Sequence, residues 1–270
     1  MRAIRSAIRP SIRSSFGLDI VDKLRAIITS LFSSNEQGSI YIPMPIVLGA
    51  QALFQDAAGT VPVTADGDPD GLMIDQSPNS NNAAQSVSAQ RPSYRSVSGL
   101  QYLQFDGTDD TLGTSLRLSA PYSYAVAITM PARASAMYGF GGGYFVNAVE
   151  GSGVARNASG NYVVQARRDS LSSNYSGRLA DDEPYIVVIQ IAADGTITID
   201  DETGQTVTST ALNSLVMGTS FALGRPEDHT NTVADLRGKI HGALAVNRLL
   251  TATEVSDIRA YVGELAGVTL

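Results

Sequence analysis

The sequence predicts an all-β sandwich with a helix at either end, on three observations. Between residues 40 and 248 the helical period is absent, and short runs rich in Val, Ile, Thr and Tyr alternate with turn clusters. The separators are what turns require: Asp106-Gly107, Gly151-Ser152-Gly153, Ser159-Gly160-Asn161 and Asp194-Gly195. Apolar residues return to helical spacing only before residue 33 and after residue 250.

Taken in order, residues 1–25 carry Arg2, Arg5, Arg9, Arg13, Lys23 and Arg25 against Asp19 and Asp22. This net +4 leaves −11 for the remaining 245 residues of a chain whose formal charge is −7. A basic arm precedes an acidic body, and the overall sign argues against general nucleic-acid binding. Ile4, Ile8 and Ile12 recur every fourth residue, each followed by Arg5, Arg9 or Arg13, so a helix here would carry adjacent apolar and basic stripes. Pro10 limits it to a turn or two.

Ile20, Val21, Leu24, Ile27, Ile28 and Leu31 then predict an amphipathic helix over residues 19–32, with Asp19 placed to cap it. Its apolar face needs cover, either from the body or from copies of the same helix in an oligomer. Residues 33–39, small and polar, read as a linker. The chain therefore divides into an arm, helix and linker over residues 1–39 and a sandwich with a terminal helix over residues 40–270.

Within the body, strands are expected at residues 40–42, 47–54, 102–105, 122–130, 144–149, 162–167, 185–191, 196–200, 206–208, 220–223 and 239–246. The clearest hairpin joins the run 186–191 to 196–200, where Ile197 and Ile199 alternate with polar neighbours. At the end, Thr251-Ala252-Thr253-Glu254 forms a capping box before an apolar face that includes Val255, Ile258 and Val262, and Gly267 stands where a helix stop belongs.

Composition removes several kinds of chemistry. The chain of 270 residues is 43% hydrophobic, enough for a core, and it has no Cys, so disulfides, thiolate metal sites and cysteine nucleophiles are excluded. No uninterrupted apolar run approaches the ~18 residues of a membrane span. Residues 66–71, Asp-Gly-Asp-Pro-Asp-Gly, reproduce the first half of a calcium loop, but the twelfth position, which needs a bidentate Glu, is Ser77. Calcium is thus a possible ligand, and a solvated acidic turn is the better reading. The runs Asp181-Asp182-Glu183 and Asp200-Asp201-Glu202 sit at strand ends and read as charged loop termini. Phe140-Gly141-Gly142-Gly143-Tyr144 is glycine-rich with no helix after it, so a loop or bulge is expected there. His229 lies in a polar loop and His241 inside a strand, and no hydrolase or phosphate-binding motif accompanies them. No cofactor and no enzymatic activity are expected. Tyr138, Tyr144, Tyr162 and Tyr175 are the aromatic candidates for sugar contact.

Three stretches, in order, resemble a known family. Ala52-Leu53-Phe54-Gln55-Asp56-Ala57-Ala58-Gly59-Thr60, continuing through Gly71-Leu72-Met73-Ile74-Asp75, is similar to the opening of concanavalin A-like, laminin G-type modules common in tailed bacteriophage virion proteins. Phe105-Asp106-Gly107-Thr108-Asp109-Asp110 resembles that family's strand and turn, and Gly238-Lys239-Ile240-His241-Gly242 with Val246-Asn247-Arg248-Leu249-Leu250 resembles its last strand. The resemblance covers about residues 45–266 and implies a jelly-roll sandwich in a virion structural protein, a decoration, tail or fibre component. With the arm, it implies docking through Ile4, Arg5, Ile8, Arg9, Ile12, Arg13, Ile20, Leu24, Ile27 and Leu31 onto other virion proteins or copies of the chain. The alternative is a module that binds host surface glycan.

Overall fold

The computed structural model describes residues 15–131, 137–143, 151–157, 159–168, 171–179, 182–204, 206–208, 220–224 and 235–270. It opens with α1 (Ser15–Leu31), β1 (Gly38–Tyr41) and three two-residue strands, β2 (Ile46–Val47), β3 (Ala50–Gln51) and β4 (Leu53–Phe54). Next come β5 (Leu72–Met73), β6 (Ala83–Ala84), β7 (Ser93–Val97), β8 (Leu100–Asp106), β9 (Leu112–Gly113) and β10 (Tyr122–Thr129). A meander follows in β11 (Met137–Gly143), β12 (Gly151–Arg156), β13 (Asn161–Arg168) and β14 (Leu171–Leu179). The chain closes with β15 (Tyr185–Ile191), β16 (Ile197–Asp201), β17 (Thr206–Thr208), β18 (Phe221–Leu223), β19 (Arg237–Val246) and α2 (Ala252–Leu265).

Two antiparallel sheets form the sandwich. One runs β17-β16-β15-β10-β19-β8-β7 with β1 also on β19, and the other runs β14-β13-β12-β11-β18-β9-β6-β5-β4. The inner core is filled by alternate residues of the first sheet, among them Tyr122, Tyr124, Val126 and Ile128 of β10 and Val187 and Ile189 of β15, against Phe140, Val154, Phe221 and Leu223 of the second. The residues between them, Ala125, Ala127, Ile186, Val188, Leu244 and Val246, point to the opposite face and pack on α1 and α2. Because both faces of β10, of β15 and of the second half of β19 are covered, these segments are buried almost throughout. The result is three layers: sheet, sheet and a pair of helices.

The helices lie antiparallel, since Lys23 meets Glu264 at 2.8 Å at one end while Ser30 donates to Glu254 at 2.7 Å at the other. Leu24, Ile27 and Leu31 of α1 are buried against Val255, Ile258 and Val262 of α2 and the sheet beneath. At the start of α2 the capping box is present as expected, the Thr251 side chain accepting from the Glu254 amide and Glu254 reaching back to the Thr251 amide. At its end Gly267 takes a φ of +77° and Val268 N donates to Gly263 O, closing the helix in a Schellman turn.

Several expectations need correction. The helix begins by Ser15 rather than 19, so Asp19 lies inside it and is not its cap. Residues 33–39 are not a free linker: Glu36 pairs with Arg248, Gln37 N donates to Asn247 Oδ1, and Gly38 already opens β1 opposite Val246. Among the described residues, α1 and residues 36–39 thus pack against the body rather than stand apart from it. The glycine-rich run from Phe140 to Gly143 is strand β11 rather than a loop, with a bulge-like shift of register against β12 between Tyr138 and Phe140, and Gly151-Ser152-Gly153 is β12 rather than a turn. There the missing side chains permit close approach, since a Cβ at Gly141 would run into Ser152 O and one at Gly139 into Ile128. The single strand expected over residues 47–54 is three short ones, because Leu48 and Gly49 both adopt positive φ and turn the chain back. The strand expected at residues 144–149 lies outside the described residues.

If α1 is part of the core, Leu24→Ala will cost roughly 2–5 kcal/mol of stability, the usual toll for a buried leucine. Arg25→Ala, on the exposed side, will stay within about 0.5 kcal/mol of the parent. Urea unfolding of both variants measures the contrast.

Candidate functional site

The ten residues expected to dock fall into two groups. Ile4, Arg5, Ile8, Arg9, Ile12 and Arg13 lie outside the described residues. Of the others, Leu24, Ile27 and Leu31 are 1%, 5% and 0% exposed and Ile20 packs at the edge of the same cluster, so this face is taken up by the body. Its assignment to an external partner is overturned by simple burial. What the helix pair leaves open is a shallow groove of about 260 Å³ lined by Lys23, Ile27, Ser30, Glu254, Asp257 and Ile258.

The acidic loop at residues 66–71 sends its three carboxylates in three directions. Asp66 Oδ1 accepts from Arg95 Nε at 2.9 Å and from the Ser96 amide at 2.8 Å. Asp68 Oδ2 turns back to the amides of Thr64 and Ala65, both at 2.8 Å. These contacts hold both carboxyls below their ordinary range, with Arg95 the main cause for Asp66 and the Thr64 amide for Asp68. Asp70 points inward, is 0% exposed and has neither carboxyl oxygen in a well-formed hydrogen bond. Burial pushes its carboxyl up to about 8, and the Leu72 and Phe54 amides offset this only in part. Carboxylates so dispersed do not converge on one ion, and the calcium-loop spacing is here a turn built by Asx contacts.

The turn after β8 behaves as its residues imply. Phe105 is fully buried between the sheets, Gly107 adopts a φ of +82°, and Asp110 Oδ2 accepts from the Asp106 amide at 2.8 Å. Leu112 then enters β9, so this segment carries the chain from one sheet to the other. Carboxylate oxygens of Asp106, Asp109 and Asp110 come within 4.8 Å of one another. Burial first, and its two acidic neighbours second, push Asp110 up to about 6. In the run at residues 200–202, Asp201 Oδ1 caps the Thr203 amide at 2.9 Å and Glu202 Oε2 accepts from the Ile186 amide at 3.4 Å. Both are structural contacts of a strand end. Asp181 lies outside the described residues, while Asp182 and Glu183 are exposed.

Among the tyrosines, Tyr162 is buried, stacks on Tyr185 at 4.6 Å between centroids and accepts from the Met130 amide at 2.8 Å. It is a core residue and no sugar platform. Tyr138 lies in β11 and Tyr175 in β14, opposite Val164, while Tyr144 is outside the described residues. His229 is also outside them.

A further candidate site, which no sequence motif marks, lies on the first sheet where α1 and α2 do not reach. Gln104 of β8, Lys239 of β19 and Thr129 of β10 stand abreast in one cross-strand row. Together with Arg237, Gly238, Pro131 and Asp182 they line an open hollow of about 300 Å³. Gln104 is pinned by its Nε2 to the carbonyls of Phe105 and Gly238 at 3.0 and 2.9 Å. Behind the row, His241 Nε2 meets Thr129 Oγ1 at 3.0 Å, its ring is 5.4 Å from that of Tyr102, and the Lys239 ammonium lies 5.1 Å from the Tyr102 centroid. Burial and, secondarily, Lys239 lower His241 to about 4, so its ring is neutral at physiological pH.

No protein-family model matches the chain, and no curated protein matches it. Solved structures do. A Trypanosoma rangeli sialidase in complex with sialic acid aligns with a TM-score of 0.51 at 14% identity, over 91% of this chain and 38% of that one. The binding domain of Paraclostridial Mosquitocidal Protein 1 aligns with a TM-score of 0.53 at 10% identity, over 70% of this chain and 49% of that one. The chain thus spans less than half the length of either. At these identities the likeness establishes the β-sandwich fold and nothing of activity.

Asp70 supplies a test of the buried loop. In the unfolded chain its carboxyl titrates near the ordinary ~3.9, so between about pH 4 and its folded value of about 8 the native state holds a proton that the unfolded state has lost. Its contribution to stability therefore falls as pH rises through that window. Asp70→Asn, which mimics the protonated group at every pH, will come nearest to the parent in urea at about pH 4 and exceed it by a growing margin up to about pH 8.

Proposed function

We propose that the chain is a non-enzymatic structural component of a tailed-bacteriophage virion, a concanavalin A-like sandwich present in repeated copies and attached through residues 1–14. The resemblance of three ordered stretches to phage laminin G-type modules motivates the reading. The observation that carries it is that most of the clustered acids among the described residues serve the fold. Asp66, Asp68, Asp106 and Asp201 bind turn amides, and Glu254 is held to about 2, chiefly by Arg248. A glycoside hydrolase needs two carboxyls facing across a cleft and free to exchange protons, and acids so engaged are poorly suited to that work.

Attachment falls to the leading residues by subtraction. With Leu24, Ile27 and Leu31 packed into the helix layer, we assign attachment to the apolar and basic pattern of Ile4, Arg5, Ile8, Arg9, Ile12 and Arg13, which lies outside the described residues. A segment with that pattern suits a partner surface that is both apolar and acidic. The polar hollow on the first sheet favours a second role for the displayed body, contact with host polysaccharide.

Removing residues 2–14 will leave a folded protein with stability within roughly 0.5 kcal/mol of the parent that is absent from purified particles. Removing residues 2–33 will strip cover from α2 and the sheet and give an unfolded or aggregated product. Thermal melts and quantitation of the chain in gradient-purified virions measure both. Incorporation of the shorter deletion at parental copy number would refute attachment by the arm.

A further inference from the structure

Resting on the polysaccharide contact proposed above, we infer that the hollow on the helix side of the first sheet binds an acidic sugar, its carboxylate held by Arg237 and Lys239 and its hydroxyls by the neighbouring polar groups. The argument begins with charge. In a chain of formal charge −7, two cations stand two residues apart on one face of β19, and neither makes an ion pair with a described carboxylate. Unpaired cations flanking a concavity attract an anion, and an arginine offers the forked donor set that a carboxylate accepts in parallel.

The remaining lining selects among anions. Asp182, exposed at the rim, repels a compact multivalent anion such as phosphate, yet it is a strong acceptor for hydroxyl donors. Gln104 is already fixed by both its amide contacts, so it presents an oriented group without further loss of side-chain freedom. A ligand that carries one carboxylate and several hydroxyls satisfies cations on one side and an acceptor on the other, which is the chemistry of a uronic acid unit. The volume of about 300 Å³ suits one or two sugar rings and is at the small end for ligand sites generally.

The site is held by rigid elements. Gln104, Lys239 and Thr129 sit on three hydrogen-bonded strands, and a Cβ at Gly238 would collide with Thr129 O, so the backbone there approaches as closely as it can. Lys239 rests against the Tyr102 ring, which places its ammonium without need of a carboxylate partner.

The test uses the full chain and three probes in calorimetric titration: trigalacturonate, its neutral counterpart galactotriose, and inorganic phosphate. Trigalacturonate should bind, weaken with added salt, and lose at least tenfold in affinity in Arg237→Gln and in Lys239→Gln, while galactotriose and phosphate give no binding. Arg237→Glu should abolish binding altogether. Because Arg237 is exposed, its variants should keep the parental thermal midpoint, which separates a binding loss from a folding loss. No heat with trigalacturonate would overturn the assignment, as would unchanged affinity in the Arg237 and Lys239 variants or phosphate binding as tight as that of the sugar. None of these results bears on attachment by residues 1–14, which is read from particle composition.

Discussion

Everything in this fold depends on the centre of the first sheet being apolar on both faces. Ala125, Ala127, Ile186, Val188, Leu244 and Val246 turn away from the sandwich interior, and left bare they would expose a continuous oily surface at the centre of the sheet. Two helices from opposite ends of the sequence are what cover it. This is why α1 and α2 behave as one layer although more than 200 residues of sandwich separate them in the chain, and why the amphipathic face of α1 is spent on the body.

Polar contacts then fix where that layer sits. Arg248 reaches Glu254 at 2.6 Å, Glu36 at 3.5 Å and the Ser30 carbonyl at 3.1 Å, so a single guanidinium joins the end of α1, the approach to β1 and the first turn of α2. Glu254 meanwhile completes the capping box, and its partly buried pairing is the sort in which bidentate geometry yields more than a surface ion pair. A second anchor is Asp75, whose carboxylate accepts from the amides of Ile40, Ser77 and Asn81, each at 2.8 Å, and so fastens β1 to the loop that follows β5. Burial raises this carboxyl while those amides oppose the rise, a balance that keeps a buried acid useful as an acceptor.

Periodicity and turn chemistry made much of this readable from residues alone. The run at residues 185–191, the capping box at Thr251 and the turn at Asp106-Gly107 all follow from local rules, and the structure places them as those rules require. What local rules could not supply was the partner of α1, because an apolar stripe specifies that it must be buried and is silent on where. Nor could they recover β11 and β12, where glycine weakens every propensity signal and only the neighbouring backbone explains its use. Residues 33–39 misled for the opposite reason: Ser, Asn and Gly look like a linker, yet Glu36 and Gln37 have long-range partners that composition does not reveal. The hollow was illegible for the same cause, since Gln104, Thr129 and Lys239 are distant in sequence and meet only through strand register.

Strand β19 shows how one segment can serve both purposes. Its second half, Ala243 to Val246, pairs with β1 and lies beneath the helices, while its first half, Arg237 to Ile240, pairs with β8 beyond their reach. The change coincides with an irregularity in its pairing to β10, where Ala127 faces Gly242 and Ile128 faces Ile240, so His241 is left out of the ladder. A helix layer that spanned the whole sheet would need apolar residues throughout, and no polar side chain could stand on that face. Because the two helices stop short, Arg237, Lys239 and Gln104 can occupy a rigid β-surface open to solvent. The same economy of cover that makes the sandwich need both helices also leaves it one face on which recognition can be built.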